Sequence, residues 1–136
     1  MIEAVRSGFK AEVQRLGVSA ADIVEIQVGG AYELPFSVKR MIELHNVDVV
    51  CPIGCLIKGE TAHFEYIAEA VTQGLMRVSL DSGVPVLFGV LTVFNADQAR
   101  ARAGIGDGSK HNHGIEWAQT AVEQGALKKQ VPTPAL

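Results

Sequence analysis

The apolar run from Val47 to Ile57 opens directly into Gly59 and a helix start that carries His63. A run apolar on both faces suits a parallel strand covered by helices on each side. A glycine and a helix amino end straight after it leave backbone amides open beside an imidazole. An anion can sit on such amides, and the imidazole can move protons next to it. The stretch Lys58-Gly59-Glu60-Thr61-Ala62-His63-Phe64-Glu65-Tyr66 therefore points to a phosphate-bearing substrate and a proton transfer.

The rest of the chain alternates helix and strand patterns. Ile2, Val5, Phe9, Val13 and Leu16 recur at helical spacing, with Gly17 as the stop. Asp22 to Val28 reads as a strand, followed by a tight turn at Gly29-Gly30. Leu34-Pro35 opens a second helix carrying Phe36, Val38, Met41 and Leu44. Val47 to Ile53 reads as a buried strand. A helix spans about Ala62 to Ser82 and ends at Gly83. Val84 to Thr92 forms a further strand. Asn95-x-x-Gln98 is a capping-box pattern for a short helix to Arg102. A glycine-rich loop covers Gly104 to Gly114, and a last helix runs from about Ile115 to Lys128. Alternation of this kind builds strand–helix–strand units on a parallel sheet. The expected fold is α/β, a flavodoxin-like three-layer α/β/α sandwich with a central parallel sheet. Three strands make a thin centre for so much helix, so an opening strand is expected to be missing.

At 136 residues the chain fits one domain, 1–136, with one core. A net charge of −3 without a basic run gives no footprint for nucleic acid. No apolar stretch spans a bilayer and no leader pattern opens the chain, so a cytoplasmic setting is expected. Cys51 and Cys55 on one strand would stand about 13 Å apart, too far for a disulfide. They read as small buried apolar residues. His111-Asn112-His113 could ligate a metal, but no carboxylate or cysteine is placed in sequence to complete a shell. Gly104-Ile105-Gly106 follows a helix rather than a strand and is not a dinucleotide fingerprint.

Ligands of an open parallel sheet bind beyond the carboxyl ends of its strands. Three segments fall there: Gly30 to Glu33, Cys55 to His63, and Val86 to Phe94. Glu33 caps a helix or accepts hydrogen bonds from a polyol. Phe88 packs in the core or covers a flat heterocycle. Arg102, before the glycine-rich loop, is a solvated helix end or a phosphate clamp.

Taken in order, Gly30-Ala31-Tyr32-Glu33-Leu34-Pro35, Lys58 to Tyr66, Gly74-Leu75-Met76-Arg77-Val78, Asp81 to Val86, Phe88-Gly89-Val90-Leu91-Thr92 and Arg102-Ala103-Gly104 closely resemble lumazine synthase. Asn112-His113-Gly114 before Glu116-Trp117 resembles the fungal branch. The resemblance implies a transferase of riboflavin biosynthesis that uses no cofactor and no metal. Such an enzyme condenses 5-amino-6-(D-ribitylamino)uracil with 3,4-dihydroxy-2-butanone 4-phosphate, releasing phosphate and forming 6,7-dimethyl-8-ribityllumazine. It implies His63 as general acid/base and Glu60 and Thr61 as phosphate holders, with Arg102 reaching the same phosphate from a neighbouring subunit. Ala31, Tyr32 and Glu33 would bind the ribityl chain and pyrimidine. Leu56 and Ile57 would line the pocket, and Phe88 would pack on the ring from the neighbour. His113 matches a lysine of the bacterial pattern and takes a substrate-binding role there. The resemblance also implies a homopentamer with sites between adjacent subunits, since the segment from Arg102 to Asn112 is longer than in shell-forming relatives.

Three positions depart from the family pattern. Its opening strand and Arg-aromatic-Asn motif, placed before the position of Met1, are absent, so the sheet is expected to lack an interior strand. Pro52 removes a ladder donor from an expected interior strand, so a local distortion or an unpaired acceptor on the adjacent strand is expected. Gly29 stands where the family has proline. The absent motif motivates an alternative reading, a catalytically weak riboflavin- or lumazine-binding oligomer.

Overall fold

The computed structural model describes residues 1–106 and 111–130. The elements are α1 (Ile2–Arg15), α2 (Leu34–Leu44), β1 (Ile53–Ile57), α3 (His63–Ser82), β2 (Gly89–Val93), α4 (Ala96–Arg102) and α5 (His113–Lys128). Short 3-10 turns form at Ala20–Asp22 and Ala31–Glu33. No described helix is long and apolar enough to cross a membrane.

β1 and β2 pair in parallel, and the alternation of side chains divides the core into two layers. Val90 and Leu56 face one side, with Leu34 and Val38 of α2 and Val71 and Leu75 of α3. Leu91 and Val93 face the other, with Val5 of α1 and Ala99 and Ala103, while Ile53, Cys55 and Trp117 pack around them. Helices therefore cover both faces of a parallel sheet, as the sandwich reading requires.

The helix boundaries follow local chemistry. Gly17 and Gly83 take φ of +105° and +72°, left-handed conformations that stop α1 and α3 at little cost. Asn95 Oδ1 accepts from the Gln98 amide at 2.9 Å, and Gln98 Oε1 accepts from the Phe94 amide at 2.8 Å. The return bond of the expected capping box thus lands one residue before the cap. α5 begins at His113, two residues before the expected start. Asn112 is its cap: Oδ1 accepts from Gly114 N at 2.8 Å, while Nδ2 donates to Ala4 O at 2.8 Å and ties α5 to α1.

The strand expected over Asp22 to Val28 does not form. Asp22 belongs to a 3-10 turn, and among the described residues no backbone group bonds to the backbone of residues 24–29. A strand exists through its ladder, and no described strand lies alongside this segment. Instead it forms one wall of a cleft of about 1700 Å³. Residues 50–55 line the same cleft. Phe9, Val13 and Ala121 line one side, and Leu34, Val38 and Met41 the other. Residues of both helical layers line the cleft. Val24 and Ile26 stay largely exposed.

The other expected strands are shorter than read. Upstream of β1 only Val50 pairs, with Val86. Its N–H donates to Pro85 O, and its carbonyl accepts from Leu87 N, both at 2.9 Å. The next ladder donor would be Pro52, which has none. Pairing resumes at Ile53 and Gly89 with the same offset. Pro52 therefore interrupts the ladder without shifting its register.

Arg15 Nε and Nη2 donate to Glu12 Oε2 and Oε1 at 2.8 and 2.6 Å, and Gln119 of α5 donates to Oε1 at 3.3 Å. Chiefly through the Arg15 bonds, the Glu12 carboxyl falls from the ordinary range to about 2. A depressed carboxyl contributes stability that is present above its unfolded pKa and lost as pH falls through the folded value. The chain is therefore expected to lose stability between about pH 4.5 and pH 2. Denaturant midpoints in Glu12→Gln are expected to lack this component; an unchanged acid slope would contradict it.

Candidate active site at the carboxyl end of the sheet

The turn after β1 positions the segment that the sequence singled out. The Lys58 amide donates to Val93 O at 2.9 Å, so pairing with β2 holds the chain up to that residue. The chain then leaves the sheet through Gly59, and a Cβ there would meet nothing within 4 Å. α3 begins at His63, and its first backbone bond is Tyr66 N to Ala62 O at 3.2 Å. Among the described residues the amides of Glu60, Thr61 and Ala62 donate to no backbone group. Thr61 Oγ1 accepts from His63 N at 3.4 Å. Glu60, Thr61 and His63 are all exposed. This is the open amino end of a 20-residue helix, where the dipole and the free N–H groups favour an anion.

The remaining candidates fall into groups. Leu56, half-buried, and Ile57, 42% exposed, end β1 beside this turn. Ala31, Tyr32 and Glu33 form the 3-10 turn before α2, with Ala31 packed on the core and Tyr32 61% exposed. Phe88 precedes β2 and lines an open cleft of about 370 Å³ with Phe64, Ala68, Thr72, Thr92 and Phe94. Arg102 ends α4, donating to Gln98 O at 3.4 Å, and no described carboxylate pairs with it. His113 starts α5. The antiparallel bridge between Ala103 and Asn112 brings these two helix ends together. Among the described residues no hydrogen bond or ion pair within the chain joins His63 to Phe88, Arg102 or His113.

Sequence spacing missed three contacts. Glu116 reaches both His111 (Nε2–Oε1 3.1 Å) and His113 (Nδ1–Oε2 3.9 Å), so a carboxylate does accompany the pair of imidazoles. No group of three described His, Cys, Asp or Glu side chains is arranged to hold a metal ion. Lys58 pairs with Glu65 across the turn at 2.8 Å. Helical spacing rules could not find it, because the two residues lie on different elements. Cys51 and Cys55 are free thiols. Burial pushes the Cys51 thiol up to about 12 and raises that of Cys55, so neither is a nucleophile near neutrality.

A sequence profile of 6,7-dimethyl-8-ribityllumazine synthase matches residues 1–129. The chain is 41% identical to the protein of that name from Pyricularia oryzae, across 95% of this chain and 82% of the relative. It is 48% identical to the Schizosaccharomyces pombe protein, across 89% and 75% respectively. It is 43% identical to the Stenotrophomonas maltophilia R551-3 protein of the same name, across 93% and 79%. With this match spanning both the open amino end of α3 and the sheet beneath it, the chain belongs to the 6,7-dimethyl-8-ribityllumazine synthase family.

Proposed function

We propose that the protein condenses 5-amino-6-(D-ribitylamino)uracil with 3,4-dihydroxy-2-butanone 4-phosphate to give 6,7-dimethyl-8-ribityllumazine and inorganic phosphate. The observation that carries this reading is the open amino end of α3, with His63 as its first residue, in a chain of this family. The phosphate sits on the free amides of Glu60 to Ala62, aided by Thr61 Oγ1. Amine and ketone join as an imine with loss of water; phosphate then leaves and the ring closes with loss of a second water. His63 exchanges the protons of these steps, for which an imidazole is suited near neutrality. Ala31, Tyr32 and Glu33 hold the ribityl chain and pyrimidine, and Leu56 and Ile57 line the pocket.

The site is completed by a neighbouring copy, which supplies Phe88 against the ring, Arg102 at the phosphate, and His113. Its support is the exposure of Phe88 and Arg102, together with the lack of contacts joining them to His63 in the same chain. Phe36, Tyr66, Met76 and Leu80 are each more than half exposed, an apolar load that a neighbour would cover. The assembly is a homopentamer in a cytoplasmic setting. Mixing the two substrates with the protein is expected to release phosphate and generate lumazine fluorescence together, from a species eluting as a pentamer. Absence of both products would overturn the activity; elution as a monomer or a closed shell would overturn the assembly.

A further inference from the structure

The turn that holds the open amides is tied at both ends by one side chain. Lys58 directly follows β1, and its ammonium reaches Glu65 in the first turn of α3 at 2.8 Å. The same ammonium lies 5.9 Å from the centroid of the Phe94 ring, just after β2. Between Lys58 and Glu65 the chain carries Glu60, Thr61 and His63, and its internal support is the 3.4 Å bond from His63 N to Thr61 Oγ1. A Cβ added at Gly59 would meet no described atom within 4 Å. We propose that the Lys58–Glu65 pair positions the turn, fixing where the amides of Glu60 to Ala62 point and so setting affinity for the phosphate-bearing substrate.

This inference rests on the site reading above. The pair is about half exposed, so it adds little to global stability. Its effect is local, on a turn whose other described bonds are Lys58 N to Val93 O, His63 N to Thr61 Oγ1 and Tyr66 N to Ala62 O. Glu65 stays ionised well below neutrality, because the Lys58 bond and then its own backbone amide hold its carboxyl below the usual range. Direct attraction of phosphate by Lys58 would be blunted by that carboxylate, and the two roles predict opposite results at Glu65. Under positioning, removing Glu65 loosens the turn and weakens binding. Under direct attraction, removing a negative charge strengthens binding.

The test compares Lys58→Met, Glu65→Gln, the double variant and Lys58→Arg in the full chain. Each of the first three is expected to raise KM for the phosphate-bearing ketone about three- to fivefold, the scale of one partly exposed pair. The double variant is expected to be no worse than either single. Turnover and KM for the pyrimidine should hold, Tm should stay near wild type, and Lys58→Arg should restore binding. Calorimetric titration with inorganic phosphate should weaken in parallel, and it reads the pair even if the condensation fails. Tighter phosphate binding by Glu65→Gln, equal binding by all variants, or no phosphate binding by wild type would overturn the proposal.

Discussion

Replacing His63 by alanine is expected to lower turnover by about 10²–10⁴-fold, the range of one general acid/base. The fold should survive the change. His63 is exposed at the first position of α3, and its side chain makes no hydrogen bond or ion pair among the described residues. Its backbone amide, which bonds Thr61, is retained in alanine. Circular dichroism and the denaturant midpoint should therefore match wild type while lumazine fluorescence falls. Phosphate affinity should change little, because the open amides remain. Wild-type turnover in His63→Ala would remove the imidazole from the mechanism. A loss of phosphate affinity equal to the loss of turnover would make it a binding group instead.

The second large effect is structural and concerns Gly89. A Cβ at this position would lie 2.2 Å from the Pro52 carbonyl oxygen and 3.1 Å from Cys51 Sγ. The first contact is with backbone, in the stretch where Pro52 has already interrupted the ladder, so rotamer changes cannot relieve it. Gly89→Ala must push β1 and β2 apart at the start of their pairing, beneath Phe88. The expected loss is about 2–3 kcal/mol, the upper range for overpacking. That is a large part of the 5–15 kcal/mol typical of a domain. Gly54→Ala is the control. Its Cβ would meet the flexible Leu34 Cδ1 at 3.2 Å, so its midpoint should stay within about 1 kcal/mol of wild type. Equal stability of the two variants in urea unfolding would contradict this account of Gly89.

Local rules recovered the helices well, because each start and stop is written in a few neighbouring residues. Gly17, Gly83 and the Asn95–Gln98 pair carry their reasons with them. The sheet was less legible. Ile23, Val24, Ile26 and Val28 have a strand's composition, yet a strand needs a partner, and that requirement lies outside the segment. Pro52 was legible as a disturbance because its missing N–H is intrinsic. That pairing would keep its register across it was not, since Val50–Val86 and Ile53–Gly89 are contacts between distant segments. The candidate site shows the same division. Gly59 to His63 forms one continuous turn and could be read directly. The Lys58–Glu65 pair spans a strand end and a helix start, so no periodic pattern exposes it. Glu116 beside His111 and His113 was missed for a related reason: the helix starts two residues earlier than the pattern suggested, which brings that carboxylate one turn from His113.

The most direct measurement mixes two inactive proteins. His63→Ala and Arg102→Ala are dissociated and reassembled together at equal concentration, and lumazine formation is compared with each variant alone. If one copy's helix end and the next copy's arginine enclose the same phosphate, random mixing rebuilds an intact pair at about one quarter of the interfaces. Activity should then rise to about one quarter of wild type from two nearly silent parents. A mixture no more active than the mean of its parents would contradict a pocket divided between neighbours.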